Sequence, residues 1–282
     1  MPEEAVILAK SNELIQAFEE VLKAPVKTPS AVYYTGVDLG TAFIVMAVLD
    51  ENKRPAAGAC RYAEVVRDGM VVDYIGALQM VREMKAELEE QLGTELLYAA
   101  AAIPPGTDAL DCGAVKNVVE GAGFLLTALP DESTAANEVL KIRNGAVVDI
   151  GGGTTGISIF KDGSVAAVAD EATGGTHFSL VIAGACKMSF PDAEAYKREK
   201  RNHRELMSTV RPVIDKIAAI ITKHIDGYDV QGIYLVGGTC CLEGIEAVIE
   251  KQTGIPTYKP HNPMFVTPVG IALSCTQESE YS

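Results

Sequence analysis

Residues 147–163 read VVDIGGGTTGISIFKDG, and this stretch decides the fold class. Its glycines Gly151, Gly153 and Gly156 satisfy G-x-G-x-x-G, the spacing of a dinucleotide-binding turn. That turn requires a helix directly after the glycines. The residues at 157–160, ISIF, instead alternate as in a β-strand and are followed by the turn KDG. The stretch therefore predicts a strand, a glycine turn and a second strand, which together form a hairpin.

The same layout occurs earlier in the chain. Residues 36–54 read GVDLGTAFIVMAVLDENKR, again a strand pattern, an aspartate, glycine with threonine, a second strand and a polar turn. Asp38 and Asp149 occupy matching places in the two copies, and a further glycine pair, Gly237 and Gly238, follows the apolar run IYLV. A duplicated unit of this length predicts two similar α/β domains that face each other.

Each glycine turn is suited to bind phosphate. Because no Cβ is in the way, several backbone N–H groups can converge on one point, as phosphate oxygens require. The hydroxyls of Thr41, Thr154 and Thr155 can donate further hydrogen bonds. The aspartate of each copy supplies oxygen ligands of the kind that Mg²⁺ prefers. Two such turns facing each other predict a clamp on a polyphosphate.

Charge and composition argue against several other classes of protein. The chain has 282 residues, 48% of them hydrophobic, and a formal net charge of −14, so no nucleic-acid partner is expected. The basic run KREKRNHR at 197–204 is interpreted as a solvated helix face near a phosphate ligand. The cysteines lack C-x-x-C spacing and the histidines lack ligand spacing, which disfavours a zinc site.

Neither a signal peptide nor a membrane span is predicted. The N-terminus is acidic, and no apolar run approaches the ~20 residues that a spanning helix needs. We therefore expect a cytoplasmic protein. Residues 3–23 predict an amphipathic helix, and Pro25 and Pro29 predict an extended linker after it. Two alternatives stay open for this helix: it packs on the body of the protein, or it is tethered and docks on a partner.

Hydrophobic periodicity predicts alternating strands and helices, and hence an α/β fold. The predicted strands lie at 32–38, 43–49, 96–103, 124–129, 165–169 and 233–236, and the predicted helices at 74–92, 112–121, 179–188, 192–205, 208–226 and 244–251. The corresponding division of the chain is an N-terminal helix and linker over 1–30, a first domain over 31–145, a second over 146–273 and a polar tail over 274–282.

The order of these motifs resembles the actin/Hsp70/sugar-kinase superfamily. The segments that carry the resemblance are DLGT at 38–41, DESTAA at 131–136, DIGGGT at 149–154, ATGGTHF at 172–178, LVGGT at 235–239 and PVGIA at 268–272. Within the superfamily the chain is most similar to the ethanolamine-utilisation chaperone-like EutJ family, through DGMVVD at 68–73, PPGTD at 104–108, DEATGG at 170–175 and AEAYK at 193–197.

The resemblance implies duplicated ribonuclease H-like (actin-like ATPase) domains with a nucleotide cleft between them. It implies ATP/ADP and Mg²⁺ as cofactors, Asp38 and Asp149 as metal-organising residues, and Glu132 as the residue that orients the attacking water. The nucleotide-binding positions that it implies are Gly40, Thr41, Gly151, Gly152, Gly153, Thr154, Thr155, Gly174, Gly175, Glu194, Lys197, Gly237, Gly238 and Thr239. Two positions depart from Hsp70 proteins: Ser133 replaces a proline and Gly156 an aspartate.

The function implied is that of an ATP-binding, Hsp70-like protein without a peptide-binding domain. It would act as a nucleotide-dependent conformational switch or chaperone in ethanolamine utilisation. The resemblance leaves open whether the protein is also a weak Mg-dependent ATPase. The alternative is a non-hydrolysing, nucleotide-gated scaffold related to pilus-assembly and division proteins. A small-molecule kinase and a filament former are two further alternatives within the superfamily, but no substrate-cleft aspartate beyond the nucleotide loops supports the kinase. The implied partner is an ethanolamine-utilisation enzyme or a shell protein of the bacterial microcompartment.

Overall fold

The computed structural model describes residues 3–26, 29–67, 69–107 and 109–278. Parts of several predictions lie outside the described residues, namely residues 1–2 and 27–28 of the N-terminal segment, Asp68 and Asp108 of the family motifs, and residues 279–282 of the tail. Over the ranges that are described, no helix is both long enough and apolar enough to cross a bilayer.

The predicted helices and strands occur in the predicted order, and the structure contains further helices and strands that the sequence did not predict. The α-helices are α1 (Glu3–Lys23), α2 (Tyr74–Leu92), α3 (Ala109–Gly121), α4 (Glu132–Leu140), α5 (Gly175–Cys186), α6 (Phe190–Arg198), α7 (His203–Ile225), α8 (Ile245–Thr253) and α9 (Val266–Ser274). The strands are β1 (Tyr34–Leu39), β2 (Phe43–Leu49), β3 (Pro55–Tyr62), β4 (Val66–Arg67), β5 (Met70–Val71), β6 (Tyr98–Ala101), β7 (Leu125–Ala128), β8 (Gly145–Ile150), β9 (Thr155–Lys161), β10 (Ser164–Glu171), β11 (Ile233–Val236) and β12 (Thr257–Tyr258).

Two sheets of identical layout form the body of the protein. The first has the strand order β3-β2-β1-β6-β7 and the second the order β10-β9-β8-β11-β12. In each, the strand that carries the aspartate pairs antiparallel with the next strand and parallel with a strand from later in the chain. Asp38 and Asp149 are each the fifth residue of a six-residue strand. The repeat seen in the sequence is therefore a repeat of the fold.

Two helices join the halves, and each packs on the sheet of the other half. α4 precedes the second sheet in the chain and packs against β8 and β9, whereas α9 follows that sheet and packs back on β1, β2 and β6. The helices cross where an ideal Cβ on Gly270 would lie 1.9 Å from the carbonyl oxygen of Ala135, so only glycine permits this approach. Their first turns supply Glu132 and Thr267 to the floor of the cleft between the sheets.

The N-terminal helix α1 packs on the body of its own chain. Ile15 and Phe18 are fully buried, and the helix contacts β3, α4 and α9. The ring of Phe18 fills the space above Gly58, where an ideal Cβ would lie 2.6 Å from the ring, and meets Phe265 edge-on at 5.4 Å. Of the two alternatives for this helix, the packed arrangement is the one in the structure, and its apolar stripe is not available to a partner.

Three local predictions were wrong or incomplete. The helix predicted at 179–188 begins at Gly175, since the glycine pair there shows no helical periodicity in the sequence. The segment 192–205 is interrupted after α6, because the side chains of Asn202 and His203 hydrogen-bond to the last carbonyls of that helix. Strand β3, with the sequence PAAGACRY, was not predicted because its small residues lack a strand-like pattern.

Candidate functional site

The glycine loops after β1 and β8 meet across the cleft between the two sheets. The loop residues that line it are Asp38, Gly40 and Thr41 on one side and Asp149, Gly151, Gly152, Gly153 and Thr154 on the other. An ideal Cβ on Gly152 would lie 3.1 Å from the Cβ of Thr41, so the loops lie close enough to hold one small group between them. An ideal Cβ on Gly40 would lie 2.8 Å from the carbonyl oxygen of Phe43, and glycine is therefore needed for this turn.

The second loop is held so that its amide groups face the cleft. The carbonyl oxygen of Gly151 accepts a hydrogen bond from the N–H of Gly175 at 2.9 Å, and that of Gly152 accepts one from the N–H of Thr176 at 2.8 Å. In a trans peptide the C=O and the next N–H point in opposite directions. The N–H groups of Gly152 and Gly153 therefore point away from α5 and toward the cleft that these residues line. Converging amides of this kind bind anions.

Three carboxyl groups share the floor of the cleft. Burial, followed by the charge of Asp149, raises the pKa of Asp38 to about 7. Burial raises the pKa of Asp149 to about 6, although the hydroxyl of Thr267 donates to it at 2.5 Å and lowers the pKa. Burial, with the charges of Asp149 and Asp38, raises the pKa of Glu132 well above its ordinary value. Buried carboxylates that lie this close repel one another, and a bound cation would stabilise their charged forms.

The donor set fits a hydrated Mg²⁺ better than a fully protein-ligated metal. Within the described part of the chain, no three His, Cys, Asp or Glu side chains converge on a ready-made metal site. Mg²⁺ usually keeps several waters and takes one or two carboxylates. Asp38 and Asp149, which end strands on opposite walls of the cleft, can hold such an ion through its waters.

A cavity of about 290 Å³ adjoins the loops on the side of α6. Its lining includes Phe43, Glu194, Lys197, Thr239 and Met264, and it shares Gly152 and Gly238 with the cleft. Ligand sites are typically ~300–1,000 Å³ and mostly apolar with a few placed polar groups. The cavity and the loops together therefore form one elongated site with a polar, glycine-lined end and a more apolar end.

Lys197 is fixed at the edge of this cavity by three hydrogen bonds. Its ammonium donates to the carboxylate of Glu194 at 2.8 Å, to the hydroxyl of Ser179 at 2.9 Å and to the carbonyl oxygen of Gly175 at 2.9 Å. Burial lowers the pKa of Lys197, and the charge of Glu194 acts against that shift. The pair is a rigid polar element in a mostly apolar wall.

The two halves also touch at the mouth of the cavity. The guanidinium of Arg198, at the end of α6, lies 5.4 Å from the ring centre of Phe43 and 5.2 Å from that of Tyr62. Both rings belong to the first sheet, and cation–π contacts at exposed sites stabilise by ~0.5–1 kcal/mol each. These contacts add only a weak link across the mouth of the cavity.

Some residues predicted for nucleotide binding lie behind the loops. Thr155 is fully buried and its hydroxyl donates to the carbonyl oxygen of Thr173 at 2.5 Å, so it does not face the cleft. An ideal Cβ on Gly174 would lie 2.7 Å from the carbonyl oxygen of Gly151, which makes this glycine a support for the loop.

The third glycine turn supports Asp149 and the second loop. Gly237 has a φ of 91°, and an ideal Cβ on it would lie 2.3 Å from Oδ1 of Asp149. The hydroxyl of Thr239 donates to the carbonyl oxygen of Gly151 at 2.7 Å and also borders an ideal Cβ on Gly175 at 2.5 Å. Gly237 and Gly238 line the cleft itself.

Two residues that act on the carboxyl cluster were not predicted. Thr267 reaches Asp149 from α9, 118 residues further along the chain, and no local pattern signals it. Asp170 lies on β10 directly opposite Gly156 of β9, and its charge raises the pKa of Asp149 and Glu132. The register of the β9–β10 hairpin could have identified Asp170, since residues paired in this way share one face.

Known proteins are similar to this chain in both sequence and fold. The chain is 42% identical over 258 residues to the ethanolamine utilization protein EutJ of Salmonella typhimurium, covering 90% of this chain and 91% of that protein. The crystal structure of EutJ from Carboxydothermus hydrogenoformans matches with a TM-score of 0.86 and 48% identity over 96% of this chain and 98% of the other. This chain belongs to the EutJ family. The resemblance predicted from the motifs is thereby confirmed.

More distant proteins share the fold of the EutJ family. Family models match over residues 146–270 for cell division protein FtsA and over residues 56–193 for MreB/Mbl protein. The structure of MreB5 of Spiroplasma citri bound to ADP matches with a TM-score of 0.70 and 17% identity, over 86% of this chain and 95% of that one. The predicted fold class, duplicated actin-like ATPase domains, is confirmed.

Proposed function

We propose that this EutJ-family protein binds ATP or ADP with Mg²⁺ between its two halves and acts as a nucleotide-dependent conformational switch in ethanolamine utilisation. The observation that carries this proposal is the pair of glycine loops that face each other over three buried carboxyl groups. A polyphosphate with its cation supplies both the negative oxygens that the amides require and the positive charge that the acids lack.

Each part of the site has a role in this proposal. The amides of Gly152 and Gly153, with Gly40 and Thr41 opposite, bind the phosphates. Asp38 and Asp149 hold the waters of the cation, which supplies charge neutralisation for phosphoryl transfer. Glu132 orients the attacking water. On the apolar side, Glu194, Lys197, Gly238 and Thr239 bind the nucleoside, supported by their positions around one cavity beside the loops.

The switch itself is proposed to be a change in the angle between the halves. α4 and α9 are the segments through which each half packs on the other, and Glu132 and Thr267 connect their first turns to the cleft. A ligand that contacts both loops shifts the protein toward the closed state only if it binds the closed state more tightly than the open state. ATP has one phosphate more than ADP, and contacts of that phosphate with both loops would provide this difference.

One observation favours the alternative of a non-hydrolysing, nucleotide-gated scaffold. Burial and the charges of Asp149 and Asp38 raise the pKa of Glu132 well above its ordinary value, and this disfavours the charged carboxylate that would hydrogen-bond most strongly to the attacking water. In this alternative the protein binds ATP without turning it over. The two candidates share the same site and differ only in chemistry.

Phosphate release from Mg-ATP by the wild type and by Glu132→Gln decides between them. We expect turnover in the wild type, at least ~10-fold slower turnover in the variant and unchanged nucleotide affinity, because orienting groups act mainly on the chemical step. Glu138→Gln is the control, since Glu138 lies on the same helix in an exposed ion pair with Lys141. ATP binding without turnover in either protein supports the scaffold. Failure of the wild type to bind nucleotide refutes both.

The proposed partner is an ethanolamine-utilisation enzyme or a microcompartment shell protein. Family membership supports the pathway, and the burial of the apolar stripe of α1 directs the search away from that stripe. Co-purification with candidate partners in the presence of ATP, of ADP and of neither tests the switch. A partner retained equally in all three conditions contradicts nucleotide control.

A further inference from the structure

Asp170 and Asp149 stand on either side of a position that has no side chain. Gly156 pairs with Asp149 of β8 on one side and with Asp170 of β10 on the other. Residues directly opposite each other in antiparallel strands project from the same face of the sheet. The missing side chain of Gly156 therefore leaves a notch between two carboxyl groups.

The notch contains two oxygen atoms that lack partners. An ideal Cβ on Gly156 would lie 3.3 Å from Oγ of Ser133 and 3.2 Å from Cδ of Pro105, so these residues close the notch from above the sheet. Ser133 is fully buried, and among the described residues neither its Oγ nor Oδ1 of Asp170 has a hydrogen-bond partner. Buried polar atoms nearly always have one, and a buried water typically binds two to four polar atoms.

Asp170 is part of the carboxyl cluster rather than a separate surface acid. Thr154, which lines the cleft, lowers the pKa of Asp170 against the raising effect of burial, and the charge of Asp170 raises the pKa of both Asp149 and Glu132. Asp170 also borders an open cavity of about 540 Å³, with Pro105 and Gly106, at the opposite end of the cleft from Lys197. It therefore lies beyond the phosphate loops, where the terminal phosphate of a bound nucleotide would point.

We propose that Ser133 and Asp170 bind a water molecule in the notch beside Gly156 and that Asp170, through this water, positions the water that attacks the terminal phosphate of ATP. This inference rests on the proposed binding of Mg-ATP. In the step that it serves, the oxygen of the attacking water bonds to the terminal phosphorus and the bond from phosphorus to the bridging oxygen breaks. ADP leaves with the electron pair, and the proton released by the attacking water passes through the notch water to Asp170. Because Asp170 acts on the attacking water only through the notch water, it is a positioning residue.

The test compares Asp170→Asn and Ser133→Ala with the control Glu171→Gln. Glu171 lies on the same strand as Asp170, and its carboxylate contacts His224 at 2.9 Å. Mg-ATP affinity, the single-turnover rate and the thermal midpoint of the nucleotide-free protein are measured for each. We expect Asp170→Asn to bind Mg-ATP with little change and to react about 100-fold more slowly. We also expect its nucleotide-free form to be more stable than the wild type, because one of several clustered acids has lost its charge. A merely structural role would lower the midpoint instead.

Ser133→Ala keeps the inference testable if Asp170→Asn does not fold. It should also slow the reaction, and the double variant should be no slower than the slower single variant, because both remove the same water. An unchanged rate in Asp170→Asn overturns the inference and leaves the proposed function intact. A wild type that binds ATP but never hydrolyses it also overturns the positioning role. A wild type that binds no nucleotide refutes the proposed function first.

Discussion

Replacing Gly270 with alanine should separate the two helices that join the halves. An ideal Cβ at this position would lie 1.9 Å from the carbonyl oxygen of Ala135 and 2.6 Å from its carbonyl carbon. The first distance is 1.1 Å short of the 3.0 Å that real Cβ atoms respect, and the obstructing atoms are backbone, so no side-chain rotation relieves the clash. Overpacking typically costs ~1–3 kcal/mol, and we expect Gly270→Ala to destabilise the protein by about 3 kcal/mol.

The matched control is Gly113→Ala in α3, where an added Cβ would meet nothing within 4 Å. There the better helix propensity of alanine should stabilise the protein by ~0.5–1 kcal/mol. Urea unfolding followed by far-UV circular dichroism should therefore move the two midpoints in opposite directions. Equal shifts for the two variants, or an unchanged midpoint for Gly270→Ala, would refute the argument that the helix crossing requires glycine.

Two further predictions concern the carboxyl cluster and the N-terminal helix. In the folded protein the pKa of Asp38 is about 7 and that of Asp149 about 6, whereas the ordinary value is 3.8. Between these pH values the folded state binds more protons than the unfolded state. The contribution of these two groups to the stability of the fold is therefore complete below pH ~4 and is lost as the pH rises to about 7. Thermal midpoints in chelator at pH 5 and 7.5 should differ less in Asp38→Asn than in the wild type, and parallel behaviour would contradict the assignment. Phe18→Ala should lower the free energy of unfolding, measured in urea, by ~3–5 kcal/mol, because Phe18 is fully buried. Gln16→Ala, on the exposed face of the same helix, should leave it almost unchanged. Equal effects of the two variants would contradict docking of α1.

Elements with a strong local pattern could be predicted closely. Strand β2, helix α2 and strand β11 have the bounds that hydrophobic periodicity predicts, because each is a continuous apolar or amphipathic run closed by turn residues. The glycine loops could also be predicted, because a tight turn between two consecutive strands depends on the residues of the turn itself. Strand β3 was not predicted for the converse reason: its Gly58 is required by close contact with Phe18, a residue of another element.

Residue types at the site were easier to predict than their contacts. Asp38, Asp149 and Glu132 were identified through the motifs and do meet in the cleft. The hydroxyl of Thr155 was expected to face phosphate, but strand alternation directs it to the carbonyl oxygen of Thr173 instead. Thr267 was missed because it reaches Asp149 from a helix 118 residues further along the chain. Asp170 was missed because the register of the β9–β10 hairpin was not predicted.

The sequence by itself determined the duplication, the α/β class, the two glycine loops and the family. All of these are carried by residues that are neighbours in the chain or by the repetition of one local pattern. The tertiary contacts alone show that α4 and α9 each pack on the sheet of the other half, that α1 is docked on the body, and that Thr267 of α9 hydrogen-bonds to Asp149. The physical reason is that each of these depends on contacts between elements distant in sequence, where close packing and shared burial, rather than local periodicity, select the residues.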